Sequence, residues 1–192
     1  MQQPAICVVG LGYVGLPLAH AFAKKGYPVY GYDVSKRRVD ELASGKDSTL
    51  ELSPEQLKEV TITYGTDPAV IKNADVVVMA LPTPIDDANN PDMTILMEAS
   101  ATVGKNLKEG AIVVYESTVY PGVTEELCGA VLAKHSGMVC GKNFTLGYSP
   151  ERINPGDKEH TVTKIKKIVA GQDGRTLETL AALYENVIVA GI

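Results

Sequence analysis

Several stretches of this chain are apolar at consecutive positions, among them Val76-Val77-Val78-Met79-Ala80-Leu81 and Ile112-Val113-Val114-Tyr115. A strand that is apolar on both faces must be covered on both, as happens in a parallel sheet between two helical layers. Such strands recur along the chain: Ala5 to Val9, Pro28 to Tyr32, Thr61 to Tyr64, Asp75 to Ala80, Ala111 to Glu116, Phe144 to Tyr148, Lys166 to Ala170 and Val187 to Ala190. Amphipathic stretches separate them. The first helix is expected from near Gly12 to Lys25, with Gly26 as its left-handed stop. The second is expected from Ser35 to before Gly45, and others at Pro54 to Glu59, Met93 to Leu107, Gly122 to Ser136 and Gly174 to Tyr184. The alternation predicts an α/β class: a Rossmann-like, doubly wound, mainly parallel sheet with helices on both faces. At 192 residues, the whole chain, 1–192, reads as one dinucleotide-binding domain. Its close on the apolar run 187–192, with nothing after it, suggests a fragment of a longer protein.

The segment Gly10-Leu11-Gly12-Tyr13-Val14-Gly15 lies between the first strand and the first helix. GxGxxG alone is weak, but here a second strand follows and ends at Asp33, 18 residues after Gly15. Each part has a mechanical purpose. Gly10 permits a tight turn, Gly12 lets the backbone approach a pyrophosphate, and Gly15 lets helix and strand pack closely. The helix N-terminus offers N–H groups and positive dipole. Asp33 can accept from the adenosine ribose and would repel a 2′-phosphate, which favours NAD over NADP. Arg38 could stack on the adenine, meet a phosphate or be a solvated helix residue. No other nucleotide or nucleophile motif is complete: the Gly-Lys pairs at 45, 104 and 141 lack a P-loop's other residues, and Gly147-Tyr148-Ser149-Pro150-Glu151 lacks the last glycine of a nucleophile elbow.

In doubly wound sheets ligands bind beyond the carboxyl ends of the strands. Thr83, Thr118 and Glu151 fall there, with Asp33. Thr83, between Pro82 and Pro84, could bond a ribose or phosphate, or only shape a turn. Thr118 could touch a ligand or cap the helix after Pro121-Gly122. Glu151 could order or deprotonate a water, or pair with Arg152.

The remaining composition mostly excludes. A net charge of −5, with no basic block longer than Lys36-Arg37-Arg38, argues against nucleic acid and anionic membranes. No apolar run approaches the ~18 residues of a bilayer span, and the N-terminus lacks a signal peptide's basic start, so a cytoplasmic address is expected. Cys7, Cys128 and Cys140 lack zinc spacing, and no metal site is expected.

With these residues assembled, the chain resembles the NAD-binding N-terminal domain of the nucleotide-sugar 6-dehydrogenases, the UDP-glucose/UDP-N-acetylhexosamine dehydrogenase family. The resemblance covers essentially the full chain and rests on five segments: Gly10 to Pro17, Gly31-Tyr32-Asp33, Pro82-Thr83-Pro84, Glu116 to Gly122 and Tyr148 to Gly156. The stretch 150–158, Pro-Glu-Arg-Ile-Asn-Pro-Gly-Asp-Lys, is most similar to the branch acting on UDP-N-acetylglucosamine or UDP-N-acetylgalactosamine; UDP-glucose enzymes tend to read Asn-Pro-Glu-Phe there. The resemblance implies oxidation of a UDP-sugar's C6 alcohol to a carboxylate, with two NAD and a cysteine thioester, in polysaccharide precursor synthesis. It implies NAD contacts at Leu11, Val14, Asp33, Arg38, Thr83 and Thr118, besides the loop residues Gly10, Gly12, Tyr13 and Gly15. It puts Thr118 and Glu151 by the reacting carbon and Glu151, Arg152 and Ile153 at the nucleotide sugar. The family's nucleophilic cysteine stands in a Gly-rich motif of a C-terminal domain, and no cysteine here has that context. The full-length parent would be a homodimer built largely through a linking helix, and this chain alone would bind NAD without turnover. The alternatives are a UDP-glucose or UDP-ManNAc dehydrogenase, a β-hydroxyacid or 6-phosphogluconate-type dehydrogenase, and a non-enzymatic NAD module.

Overall fold

In the computed structural model, which describes residues 3–85, 89–151 and 166–192, the strands form one seven-stranded sheet. In chain order they are β1 (Ile6–Val9), β2 (Val29–Tyr32), β3 (Thr63–Gly65), β4 (Val76–Met79), β5 (Ile112–Tyr115), β6 (Thr145–Tyr148) and β7 (Ala170–Gly171). The spatial order is β3-β2-β1-β4-β5-β6-β7, parallel except for β7, which pairs antiparallel to β6. The helices are α1 (Gly15–Lys24), α2 (Lys36–Ala43), α3 (Pro54–Lys58), α4 (Thr94–Lys105), α5 (Gly129–Ser136) and α6 (Gly174–Glu185).

The pleat explains why the central strands are apolar throughout. Ile6, Val8, Val76, Val78, Ile112 and Val114 enter one core, with residues of α1 and α6. Cys7, Val9, Val77, Met79, Val113 and Tyr115 enter the other, with residues of α4 and α5. Every residue of β1, β4 and β5 is buried. At ~1.5–3 kcal/mol for each fully buried large aliphatic side chain, a charge at Val77 would cost more than that packing supplies. Local signals fall where the sequence puts them. Ser35 caps α2 by accepting from Arg38 N, Ser53 closes a capping box with Gln56, and Gly26 has φ +85° just beyond α1.

Four expectations are corrected. Val187 to Ala190 is no strand: Val187 N and Ile188 N both donate to Tyr184 O, continuing the turn of α6, and the two side chains are buried in the α1–α6 core. Their β-branched character is satisfied by packing, without a ladder. The strand expected at Lys166 to Ala170 shrinks to Ala170–Gly171, because β6 offers an antiparallel register only at Gly147 and Tyr148. The helix expected from Gly122 begins as a π-helical segment, Val123–Cys128, before α5. The first helix starts at Gly15 instead of Gly12, and the turn Pro68–Asn73, capped by Asp67, had no counterpart in the sequence reading.

Candidate cofactor site

The strand order reverses between β1 and β4, and there the two neighbouring connections leave in opposite directions and open a crevice. A cleft of about 440 Å³ lies at this point. The glycine loop, Asp33, the Leu81 to Thr83 turn, the Glu116 to Thr118 loop and Glu151 line it.

The three motif glycines play different parts. Gly10 has φ +90°, and a Cβ on it would stand 2.5 Å from Ala80 O. A Cβ on Gly15 would stand 1.9 Å from Gly10 O. Both positions are closed by backbone, so glycine there serves the fold. Around Gly12 no atom lies within 4 Å of the position a Cβ would take, and Gly12 lines the cleft. Its lack of a side chain leaves open the space a pyrophosphate would need. Beside it, the α1 N-cap residue is Val14, with no side-chain cap, so the N-terminus of α1 meets the cleft without an internal anion. The residues present therefore fit a dinucleotide's phosphates.

The loop is tied down from below. Leu11 N donates to Asp33 Oδ2 at 2.9 Å, and Ser35 N donates to Asp33 Oδ1 at 2.8 Å. A carboxylate has about four lone-pair sites, so Asp33 can hold the loop and still accept from a ribose. Arg38 is neither solvated nor part of the cleft lining. Its Nε donates to Leu11 O at 2.7 Å, and its guanidinium pairs with Asp47 at 2.8 Å and reaches Ser48 and Thr49. Burial alone would raise the Asp47 carboxyl, but hydrogen bonds from Thr49, Leu52 N and Arg38 outweigh it and hold the group below the ordinary carboxylate range. Leu11 is fully buried, so only its main chain approaches the loop surface.

On the opposite wall, hydroxyls join the crevice loops. Ser117 Oγ donates to Leu81 O at 2.6 Å, Thr83 Oγ1 to Thr118 O at 3.1 Å, and Thr118 Oγ1 to Glu151 O at 3.2 Å. Thr118 thus ties loops together and caps no helix. The structure brings Gly10, Gly12, Tyr13, Val14, Asp33, Thr83, Thr118 and Glu151 to one cleft, and leaves Leu11, Gly15 and Arg38 beneath its floor. Arg152 and Ile153 lie outside the described residues. The sequence reading passed over Glu116, Lys167 and Tyr184, which cluster behind Glu151. The available signal was the lysine pair Lys166-Lys167, directly before the apolar residues Ile168 and Val169 that lead into β7.

The described cysteines are not activated nucleophiles: burial pushes Cys7 up to about 12 and raises Cys128 and Cys140 as well. Among the described residues no His/Cys/Asp/Glu group is placed to hold a metal, and no helix is long and apolar enough to cross a membrane.

Residues 4–188 match the family model described as UDP-glucose/GDP-mannose dehydrogenase family, NAD binding domain. A UDP-N-acetyl-D-glucosamine 6-dehydrogenase from Pseudomonas aeruginosa is 48% identical over 192 residues, which are 100% of this chain and 45% of that protein. Protein CapL from Staphylococcus aureus is 52% identical over 187 residues, 97% of this chain and 44% of the relative. The solved UDP-D-ManNAc dehydrogenase from Pyrococcus horikoshii superposes with a TM-score of 0.90 at 30% identity, covering 98% of this chain and 46% of that one. The chain therefore spans somewhat under half the length of these relatives.

Proposed function

Since this chain belongs to the UDP-glucose/GDP-mannose dehydrogenase family, as its NAD-binding domain, we propose that it carries the cofactor half of a UDP-N-acetylhexosamine 6-dehydrogenase. The observation that carries the reading is the open position at Gly12, over a cleft at the switch point of the sheet. NAD supplies the hydride acceptor when bound. Gly10, Gly12, Tyr13, Val14 and the N-terminus of α1 receive its phosphates, Asp33 takes the adenosine ribose, and Thr83 and Thr118 shape the nicotinamide end. Gly15, Leu11 and Arg38 act from below, by fixing the loop's shape.

The proposed overall reaction removes four electrons from a C6 alcohol as two hydrides and adds one water, leaving a carboxylate, two NADH and three protons. Thr118 and Glu151 position that water and the reacting carbon, and Arg152 and Ile153 meet the nucleotide sugar. A cysteine that forms the thioester comes from outside residues 1–192, since Cys7 and Cys128 are buried in the core and Cys140 lies away from the cleft. The product serves polysaccharide precursor synthesis in the cytoplasm. The parent acts as a homodimer, with neither nucleic acid nor membrane as a partner. The UDP-N-acetylglucosamine dehydrogenase relative, at 48% identity, favours the N-acetylhexosamine branch over UDP-glucose.

The test has two stages. Calorimetric titration of the 192-residue chain is expected to show NAD binding, with NADP weaker or absent. In a full-length enzyme carrying this domain, NADH should form with UDP-N-acetylglucosamine or its C4 epimer. NADH formed only with UDP-glucose or GDP-mannose would overturn the branch assignment, and loss of NAD binding to the chain would overturn the site.

A further inference from the structure

Behind the cleft wall lies a group of ionisable side chains that cofactor binding does not use. Glu116, just beyond β5, is fully buried. Its carboxylate accepts from the hydroxyl of Tyr184 on α6 and from the ammonium of Lys167. Lys167 is itself buried, its main-chain N–H donating to Gly191 O at 3.2 Å and its Nζ standing 5.9 Å from the Tyr184 ring centroid. The same Nζ lies 3.6 Å from Glu151 Oε2. One buried cation therefore stands between two carboxylates at the cleft wall, Glu116 with no solvent exposure and Glu151 on the next loop.

A closed buried pair of Glu116 and Lys167 could be replaced by apolar residues at little cost to stability. The third carboxylate changes its meaning, because it connects the buried charge to the site. From the described elements packed there, the ionisable groups facing Glu151 are Glu116 from the loop after β5, Lys167 from the segment before β7, and Tyr184 from α6. Burial pushes the Tyr184 hydroxyl well above its ordinary range, so it stays a neutral donor. Burial also raises Glu116, against the pull of Lys167 and Tyr184.

We propose that Lys167 is a positioning residue for the reaction: clamped by Glu116 and Tyr184, its ammonium holds the Glu151 carboxylate at the cleft wall. The inference rests on Glu151 being a site residue, as in the reading above. Glu116 acts one step further back, by fixing the lysine and sharing its charge.

Crystal structures of the 192-residue chain and its variants test this without any ligand. In Lys167→Met the Glu151 carboxylate should leave its place at the cleft wall, and in Lys167→Arg it should keep it. In a full-length enzyme carrying this domain, Lys167→Met should lower kcat at least about tenfold, as expected when a positioned acid–base group is released, and Lys167→Arg should restore most of it. If Lys167→Met fails to fold, the double variant Glu116→Gln/Lys167→Met keeps the buried pair neutral and is compared with Glu116→Gln in the same two measurements. A Glu151 carboxylate that keeps its place without the lysine, or a kcat that ignores Lys167 in both backgrounds, overturns the proposal and leaves a purely structural ion pair. NAD calorimetry on the unsubstituted chain fails or succeeds independently, so collapse of the cofactor reading would be seen separately.

Discussion

Gly12→Val separates fold from function within a single turn. The valine Cβ would find no atom within 4 Å, and Gly12 has no positive φ to relax. The stability change should stay within about 0.5 kcal/mol, as for surface substitutions. Gly15→Ala is the contrast, with its Cβ 1.9 Å from Gly10 O. Backbone would have to move, at the ~1–3 kcal/mol or more of overpacking. At roughly 2–4 °C per kcal/mol for a domain of this size, Gly15→Ala should melt several degrees lower while Gly12→Val barely moves. Binding should reverse that ranking. A branched side chain over the uncapped start of α1 occupies the phosphates' approach, so NAD affinity should fall at least about a hundredfold, ~2.7 kcal/mol. Thermal melts and NAD calorimetry on both variants supply the numbers. NAD affinity in Gly12→Val within threefold of the original, or a melting drop matching that of Gly15→Ala, would refute the division of labour.

Asp33→Ser should weaken NAD binding and narrow the ratio of NAD to NADP affinity, since the repelling carboxylate is gone; an unaltered ratio by calorimetry would mean another residue reads the ribose. Asp47 predicts an acid limb. Its carboxyl is held below the ordinary range when folded, so its contribution is complete above the unfolded value of ~3.9 and is lost as pH falls through the folded one. Denaturant midpoints should drop below about pH 4, and less so in Asp47→Asn relative to its own neutral-pH value; equal slopes would discount the Arg38–Asp47 pair. Ile188→Ala should cost about 2–4 kcal/mol in urea unfolding because that side chain lies in the core below α6, and a loss under 1 kcal/mol would place it outside.

The layers, the strand sequence and the cofactor loop were legible because each leaves a local mark. Apolar runs on both faces of β1, β4 and β5 demand two covering layers, and the spacing from Gly10 to Asp33 is a covalent distance. The errors fell where a local pattern has two solutions. Val187-Ile188-Val189 has the composition of a strand, but among the described residues no strand pairs with it, and α6 draws its first two side chains into the core. Arg38 reads as a free cation next to a phosphate loop, yet Asp47, nine positions on, folds back to pair with it.

By itself the sequence determined the α/β class, the position of the phosphate loop and the acid beside it, because periodicity, glycine and short spacing act along the chain. Tertiary structure decided which glycine is left open and which are packed shut, that Arg38 braces the loop from below, and that Lys167 reaches both Glu116 and Glu151 across more than 15 positions of sequence. Those outcomes depend on which strands become neighbours. Contact between residues distant in sequence exists only after the sheet has ordered its strands, and Coulomb and steric forces act on the distances that ordering creates.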